Sequence, residues 1–372
     1  MSKRTIKLFL LIISLGIIMF INPVKSNAQE AVTDENTLNN AINSANSGST
    51  ITIQNNITIT KPIVIQKELT INGNGYTLTG DSNWTSTSGN QSMFTAQLSD
   101  GKLTLKNIRL QNGPKYGVQS YDGANVILDE VFITGFKYGG VLVNGGRLEV
   151  RDLDLGYNGA DKNNGIEIDK GASATNNPEL IMNGTLTSSE KENVVYVAEN
   201  GHLTSFTITN TDSTKNKVFV TDELVLLTDS SNNIISESTL PSKVVPNVTD
   251  KKVIITLYAG EKEIKIAVND GEKITKNLLK SHIELKKGYI VKDYYLDKNY
   301  KEKFNFNTEI NKDTTIYAKI EKEESKDENK ESVEQNKDKT PVTGNENYIL
   351  IATFSIMLSS VLIIALFKKI NK

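Results

Sequence analysis

The chain repeats itself between Ile51 and Thr211, and repetition of this kind restricts a fold more than any single motif does. Leu103-Thr-Leu105-Lys-Asn-Ile108-Arg-Leu110 aligns with Val126-Ile-Leu128-Asp-Glu-Val131-Phe-Ile133 and with Leu148-Glu-Val150-Arg-Asp-Leu153-Asp-Leu155. The offset is about 22 to 23 residues, the size of a solenoid unit. Each unit carries two short alternating strands broken by a two-residue polar step, so Leu, Val and Ile face one side and Thr, Glu and Arg the other. A further strand precedes each unit. Lys115-Tyr116-Gly117-Val118 recurs as Lys137-Tyr138-Gly139-Gly140-Val141, with looser copies at Gly165 to Ile168 and Asn193 to Val197. Turns such as Asp122-Gly123, Asn144-Gly145-Gly146 and Asn200-Gly201 close the coils. The pattern predicts a mainly β protein built on a right-handed parallel β-helix, in which every rung encloses aliphatic side chains and pairs its backbone with the rungs on either side.

Such a stack needs its open end covered, because a terminal rung offers unpaired N–H and C=O groups to other chains. Residues Thr33 to Asn46 predict the cover. Thr33 or Asp34 can cap a helix whose Leu38, Ala41, Ile42 and Ala45 fall on one stripe, ready to lie on a first rung of Ile51, Ile53, Ile57 and Ile59. Together with Ile63-Val-Ile65 and Leu69-Thr-Ile71-Asn72-Gly73-Asn74-Gly75-Tyr76-Thr-Leu78, this helix resembles the pectate-lyase-like adhesive domain of bacterial surface proteins. The resemblance covers roughly residues 30 to 245, and it implies a β-helix used for adhesion; the predicted domain runs from 29 to 245.

Composition excludes some partners and leaves others open. Lys plus Arg number 42 against 44 Asp plus Glu, which gives no electrostatic reason to expect nucleic acid. With no cysteine in 372 residues, no disulfide contributes, and stability has to come from packing and backbone pairing.

The same fold carries polysaccharide lyases and hydrolases, so enzyme activity has to be sought in side chains. A lyase needs a carboxylate cluster for calcium and an Arg or Lys base beside it. The best candidates are the stacked polar steps Lys106-Asn107, Asp129-Glu130 and Arg151-Asp152. If the rungs align, Lys106, Asp129 and Arg151 form a column of alternating charge, which describes a self-neutralising ladder better than a calcium site. Asp152, Asp154, Asp161 and Asp169 show no spacing that singles out a hydrolase pair, and His202 and His282 fall in different predicted domains. No catalytic residue, metal site or cofactor is predicted. Tyr116, Tyr121 and Tyr138 are a candidate binding surface: facing outward they would present an aromatic strip to sugar rings or a collagen-like peptide. Facing inward they would be an aromatic stack in the coil, the commoner use of aromatics on neighbouring strands.

After Pro241 and Pro246 the strands lengthen, as in Lys252-Val-Ile-Ile-Thr-Leu-Tyr258 and Glu263-Ile-Lys-Ile-Ala-Val268. Gly288 to Asp297, Phe304 to Thr308 and Asp313 to Lys319 resemble an internalin B-type repeat, with Tyr294 where that family usually has Trp. The resemblance implies a small β-grasp-like domain, predicted over 246–320, serving as spacer or accessory binder. Residues 321–339 are nearly all Glu, Lys, Asp, Asn, Ser and Gln, too polar to order themselves, and predict a disordered charged stalk.

Both ends read as processing signals. Lys3, Arg4 and Lys7 precede the apolar run Leu8 to Ile21, and Ser26-Asn27-Ala28 supplies small or polar residues before a cut after Ala28, the layout of a signal peptide over 1–28. At the other end Thr340-Pro341-Val342-Thr343-Gly344 is followed by an apolar segment and by Lys368, Lys369 and Lys372. The segment 348–367 predicts a transmembrane helix, with the lysines on the cytoplasmic side. The tail, residues 340–372, resembles the sorting signal of Gram-positive surface proteins, with Thr340 where the commonest motif has Leu, which leaves the sortase class open. It implies a sortase as processing partner, cleavage between Thr343 and Gly344, and covalent attachment of Thr343 to peptidoglycan. Taken together, the sequence predicts a cell-wall-anchored surface adhesin for host matrix or glycan. The alternatives are a wall-tethered polysaccharide lyase or hydrolase and a structural display protein without a ligand.

Overall fold

The computed structural model describes residues 31–85, 92–159, 164–248 and 251–323. The readings made for residues 1–28, 324–339 and 340–372, with Ala28, Thr340, Pro341, Thr343 and Gly344, lie outside them. Among the described residues no helix is long and apolar enough to cross a membrane; the segment 348–367 is not among them.

The first part of the chain is a parallel coil. One sheet of parallel pairs runs through Ser49–Thr52, Leu69–Asn72, Lys102–Gly113, Asn125–Phe136, Arg147–Leu155, Glu179–Ser188, Ser205–Asn210 and Val245–Asn247. A second runs through Ile63–Ile65, Phe94–Ala96, Tyr116–Tyr121, Gly139–Asn144, Asn164–Asp169 and Val195–Val197. The long strands serve two faces. Lys102–Gly113 pairs first with Leu69–Asn72 and then, beyond Lys106, with Thr77–Gly80. The polar step seen in the sequence is the corner between those faces: Asn107 and Glu130 stand there at φ 47° and 57°, the left-handed region that turns the strand. Asn tolerates this conformation, whereas Glu130 adopts it at a cost of about 1 kcal/mol.

Registers turn the repeat into columns. Leu69, Leu103, Val126, Leu148 and Leu180 stack in one line and Ile71, Leu105, Leu128, Val150 and Met182 in the next, each 1% exposed or less. In the second sheet Gly117, Gly140 and Gly165 lie at equivalent positions. The space there belongs to the next rung: a Cβ on Gly140 would stand 2.5 Å from the Leu155 side chain and 3.1 Å from the Gly165 carbonyl oxygen.

The predicted cover is present as helix α1, Glu35–Ser44. Asp34 caps it, accepting from the Thr37 amide at 2.8 Å while the Thr37 hydroxyl accepts from the Asp34 amide at 3.0 Å. Leu38 and Ile42 are buried in the core of the coil, with Ala41 and Ala45 packed against it.

Between the last two coil strands the chain leaves the parallel pattern. Lys217–Val220, Leu224–Thr228 and Ile234–Thr239 form an antiparallel meander before Val245–Asn247 returns to pair with Ser205–Asn210. The following module has a four-stranded sheet in the order Lys262–Asn269, Lys252–Ala259, Thr314–Lys322, Tyr289–Tyr295, beside a short pair of Glu272–Lys273 with Glu309–Ile310. The middle two are parallel and the outer two antiparallel to their neighbours. Helix α2, Lys276–Ser281, buries Leu279 in the core of this module. The last strand extends to Lys322, two residues into the predicted stalk, because Glu321 and Lys322 still pair with Ile290 and Tyr289.

The meander joins the modules. Phe219 and Leu226 pack with Ile254 and Ala267 in a separate buried cluster. Lys265 and Lys251 bond Glu237 and Asp222, each at 2.7 Å. Asn233 Oδ1 lies 2.8 Å from His282 Nδ1, and burial holds the His282 imidazole below its ordinary pKa.

Candidate functional site: the outer faces of the coil

A coil whose interior is filled with aliphatic side chains can act only through its outer faces and turns. On the larger sheet the outward positions carry most of the charge, and the charges pair with one another. Lys106 reaches Asp129 on the next rung at 3.2 Å, Arg147 reaches Glu179 at 3.3 Å, and Arg151 reaches Glu149 at 2.7 Å. The expected column of Lys106, Asp129 and Arg151 therefore forms only in its first half. Arg151 turns along its own strand to Glu149, which also accepts from Asn183 at 2.9 Å. Register does not separate Arg151 from Asp129, since the offset to Asn125–Phe136 is the same on both sides of the step, Val150↔Leu128 and Leu153↔Val131; the one-residue slip between Val150 and Asp152 lies on the other side, against Glu179–Ser188. Burial raises Glu149, but the bonds from Asn183 and Arg151 outweigh it and hold the carboxyl below its ordinary pKa. Asp152 is pushed upward, first by burial and then by Glu130, Asp129 and Asp154. Among the described residues, no group of three or more His, Cys, Asp or Glu is placed to hold a metal ion.

The second sheet presents a different outer face. Thr95, Gln119, Leu142, Glu167 and Tyr196 occupy one outward row, by register and because Val118, Val141, Ile166 and Ile168 point into the core. An outward row is ordinarily wet, yet Thr95, Gln119, Leu142 and Glu167 are each 9% exposed or less. Two side chains reach it from the edge. The Ser92 hydroxyl donates to Gln119 Oε1 at 3.3 Å, and the Tyr116 hydroxyl donates to Glu167 Oε2. Burial, followed by the charge of Glu167, drives the Tyr116 phenol far above its ordinary pKa, so it remains a donor at any physiological pH. On the same strand Asp169 accepts from the Lys170 amide at 2.6 Å and from Asn200.

The three candidate tyrosines do not make one outward strip. Tyr116 begins a strand and pairs with Gly139, so Tyr138 stands one residue earlier, in the corner that precedes its own strand. Tyr116 is buried but lies outside the enclosed aliphatic core, so it is not an inward stack either. Tyr138 is half-buried with its ring centroid 5.9 Å from that of Tyr116, tilted by 55°, and Lys115 Nζ lies 5.6 Å from its centre. Tyr121 is half-buried at the far end of the strand, five positions from Tyr116 and therefore on the opposite parity.

Glu167 is the residue that sequence reasoning missed. It was visible as the one acidic residue inside Gly165-Ile166-Glu167-Ile168, but alternation assigns it only to an outward position. In its buried place it accepts from Tyr116, two rungs away. Chemically, the arrangement is a buried polar network in which the phenol, the carboxylate, the amide and the hydroxyl bond one another.

Turns at the rung ends are also tied across coils. Asp122 Oδ1 accepts from the amides of Asn176 and Thr175 at 2.9 and 2.8 Å, from the Asn176 side chain at 3.0 Å and from the Thr175 hydroxyl at 3.0 Å. The Asn176 amide foremost among these donors, offset only by slight burial, holds the Asp122 carboxyl at about 2.

Comparison with known proteins bears on these faces. No curated protein matches the chain. Residues 29–139 match the family described as "Putative pectate lyase-like adhesive domain", a span that takes in the helical cap and the rungs as far as Gly139.

Proposed function

We propose that the protein is a surface adhesin: a β-helix that binds host matrix or glycan through its outer faces, carried on an internalin B-type β-grasp spacer and anchored to the cell wall. The match of residues 29–139 to an adhesive domain carries this reading. It is supported by the pairing of Lys106, Arg147 and Arg151 with carboxylates on the same face, which leaves that face close to electrically neutral. Binding would fall to the turns and to the exposed outward positions of the coil. Anchoring is read from the sequence alone: removal of residues 1–28, cleavage between Thr343 and Gly344 by a sortase, and a peptidoglycan bond through Thr343.

Purified protein applied to an array of matrix proteins and glycans is expected to be retained on a defined subset. Silence across the array would contradict the adhesin. A sortase-deficient strain is expected to release the protein or keep it in the membrane, and unchanged wall attachment would contradict the anchoring.

One observation favours the enzyme reading: Glu167 is a buried carboxylate on an outer face with Asp169 two residues away and a phenol donating to it. Glu167→Gln separates the two, since an enzyme would lose turnover of anionic polysaccharide while an adhesin has none to lose.

A further inference from the structure

The chain enters and leaves the β-grasp module through two strands that lie side by side. The chain enters at Lys252, the start of Lys252–Ala259, and leaves beyond Lys322, the end of Thr314–Lys322. These two strands are parallel and directly hydrogen-bonded, with register pairs Ile255↔Thr314, Thr256↔Thr315, Leu257↔Ile316, Tyr258↔Tyr317 and Ala259↔Ala318. A pull applied through the chain at the start of one and the end of the other drives them along their common axis in opposite directions. All five pairs are then displaced together. Pulling two strands apart from a shared end breaks the pairs one at a time.

The seam is held on both faces. On the inner side Ile255, Leu257, Ile316 and Ala318 are each 1% exposed or less. On the outer side Tyr258 and Tyr317, opposite one another across the seam, stack with centroids 5.1 Å apart and planes 13° from parallel. At the loaded end Asp313 Oδ1 accepts from the Ile254 amide at 2.8 Å, extending the connection one step beyond the last register pair. From this geometry we infer that the module is a force-bearing clamp, whose entry and exit strands carry tension between the binding coil and whatever holds the chain beyond Glu323. Tension reaches the seam in life only if the chain is tethered there and grips its ligand through the coil, as proposed above. The clamp itself is a property of the module and can be measured without ligand or wall.

Single-molecule pulling tests it directly, because the chain has no cysteine and two engineered ones define the direction of load. Attachment through Lys243→Cys and Glu323→Cys loads the seam lengthwise. Attachment through Glu261→Cys and Glu323→Cys, both at the far end of the same sheet, peels it; Lys262→Cys replaces Glu261→Cys if that variant lacks the native urea midpoint. Opening of the module is recognised by its length, about 3.5 Å per released residue. At equal pulling speed, lengthwise loading is expected to need at least about twice the force of peeling. Tyr317→Ala is expected to lower the first force and leave the second nearly unchanged. Equal forces in the two directions, or an equal effect of Tyr317→Ala on both, would overturn the clamp. A protein that ignores every ligand on the array but shows the directional difference would lose the adhesin reading and keep the clamp.

Discussion

Two buried tyrosine hydroxyls, alike in accessibility and opposite in circumstance, give a matched experiment. Tyr116 is 5% exposed and donates to Glu167, itself 5% exposed. Tyr294 is 3% exposed, and its hydroxyl has no partner among the described residues. Removing a donor from a buried carboxylate forfeits a charge-assisted bond of about 1.5–3 kcal/mol. Glu167 has further interactions, so the lower part of that range applies, about 2 kcal/mol for Tyr116→Phe. Removing a hydroxyl that has nothing to bond relieves a desolvation cost, so Tyr294→Phe is expected to be neutral or to stabilise by up to about 1 kcal/mol. The assay is urea unfolding read separately in each module. Trp84, the single tryptophan, packs on the core of the coil and reports it by fluorescence; calorimetry follows the second module. With a slope of about 2 kcal/mol per molar urea, Tyr116→Phe moves the fluorescence midpoint down by about 1 M. A shift below about 0.25 M would refute the buried bond, and a Tyr294→Phe loss as large as that of Tyr116→Phe would refute the contrast.

Three further outcomes are expected. Leu128→Ala empties the middle of a fully buried column and should cost about 3 kcal/mol in the same fluorescence measurement. Gly140→Val pushes side-chain atoms into Leu155 and the Gly165 carbonyl, and should cost more than about 2 kcal/mol although the backbone there is unstrained. Asp122 has a folded pKa of about 2, below the unfolded value of about 3.9, so its bonds support folding fully above pH 4 and lose that support as pH falls toward 2. The difference in Tm between wild type and Asp122→Ala should therefore be constant near neutrality and shrink between pH 4 and 2.

Much of this fold was legible because a stacked coil writes its register into the chain. The columns Leu103, Val126, Leu148 and Leu105, Leu128, Val150 follow from spacing alone, and so does the cap, where Asp34 and the stripe of Leu38 and Ile42 sit together. Alternation does not encode strand direction, so the meander from Lys217 to Thr239 looks in sequence like more of the coil. Nor does it encode what covers an outward residue. Glu167, Gln119 and Thr95 stand at outward positions of the alternation and are buried, while Arg151 bonds Glu149 on its own strand although the offset to the Asp129 strand is unchanged across the step. The tyrosines fail for a related reason: the extra glycine at Gly139-Gly140 displaces Tyr138 from the position that Tyr116 holds.

The central claim is that the outer faces of the coil hold a ligand without transforming it. The most direct measurement is to incubate the protein with each retained glycan and with anionic polysaccharides, and to follow bound material and chain length together. The account predicts saturable retention with chain lengths unchanged. Shortened chains that disappear with Glu167→Gln would contradict it.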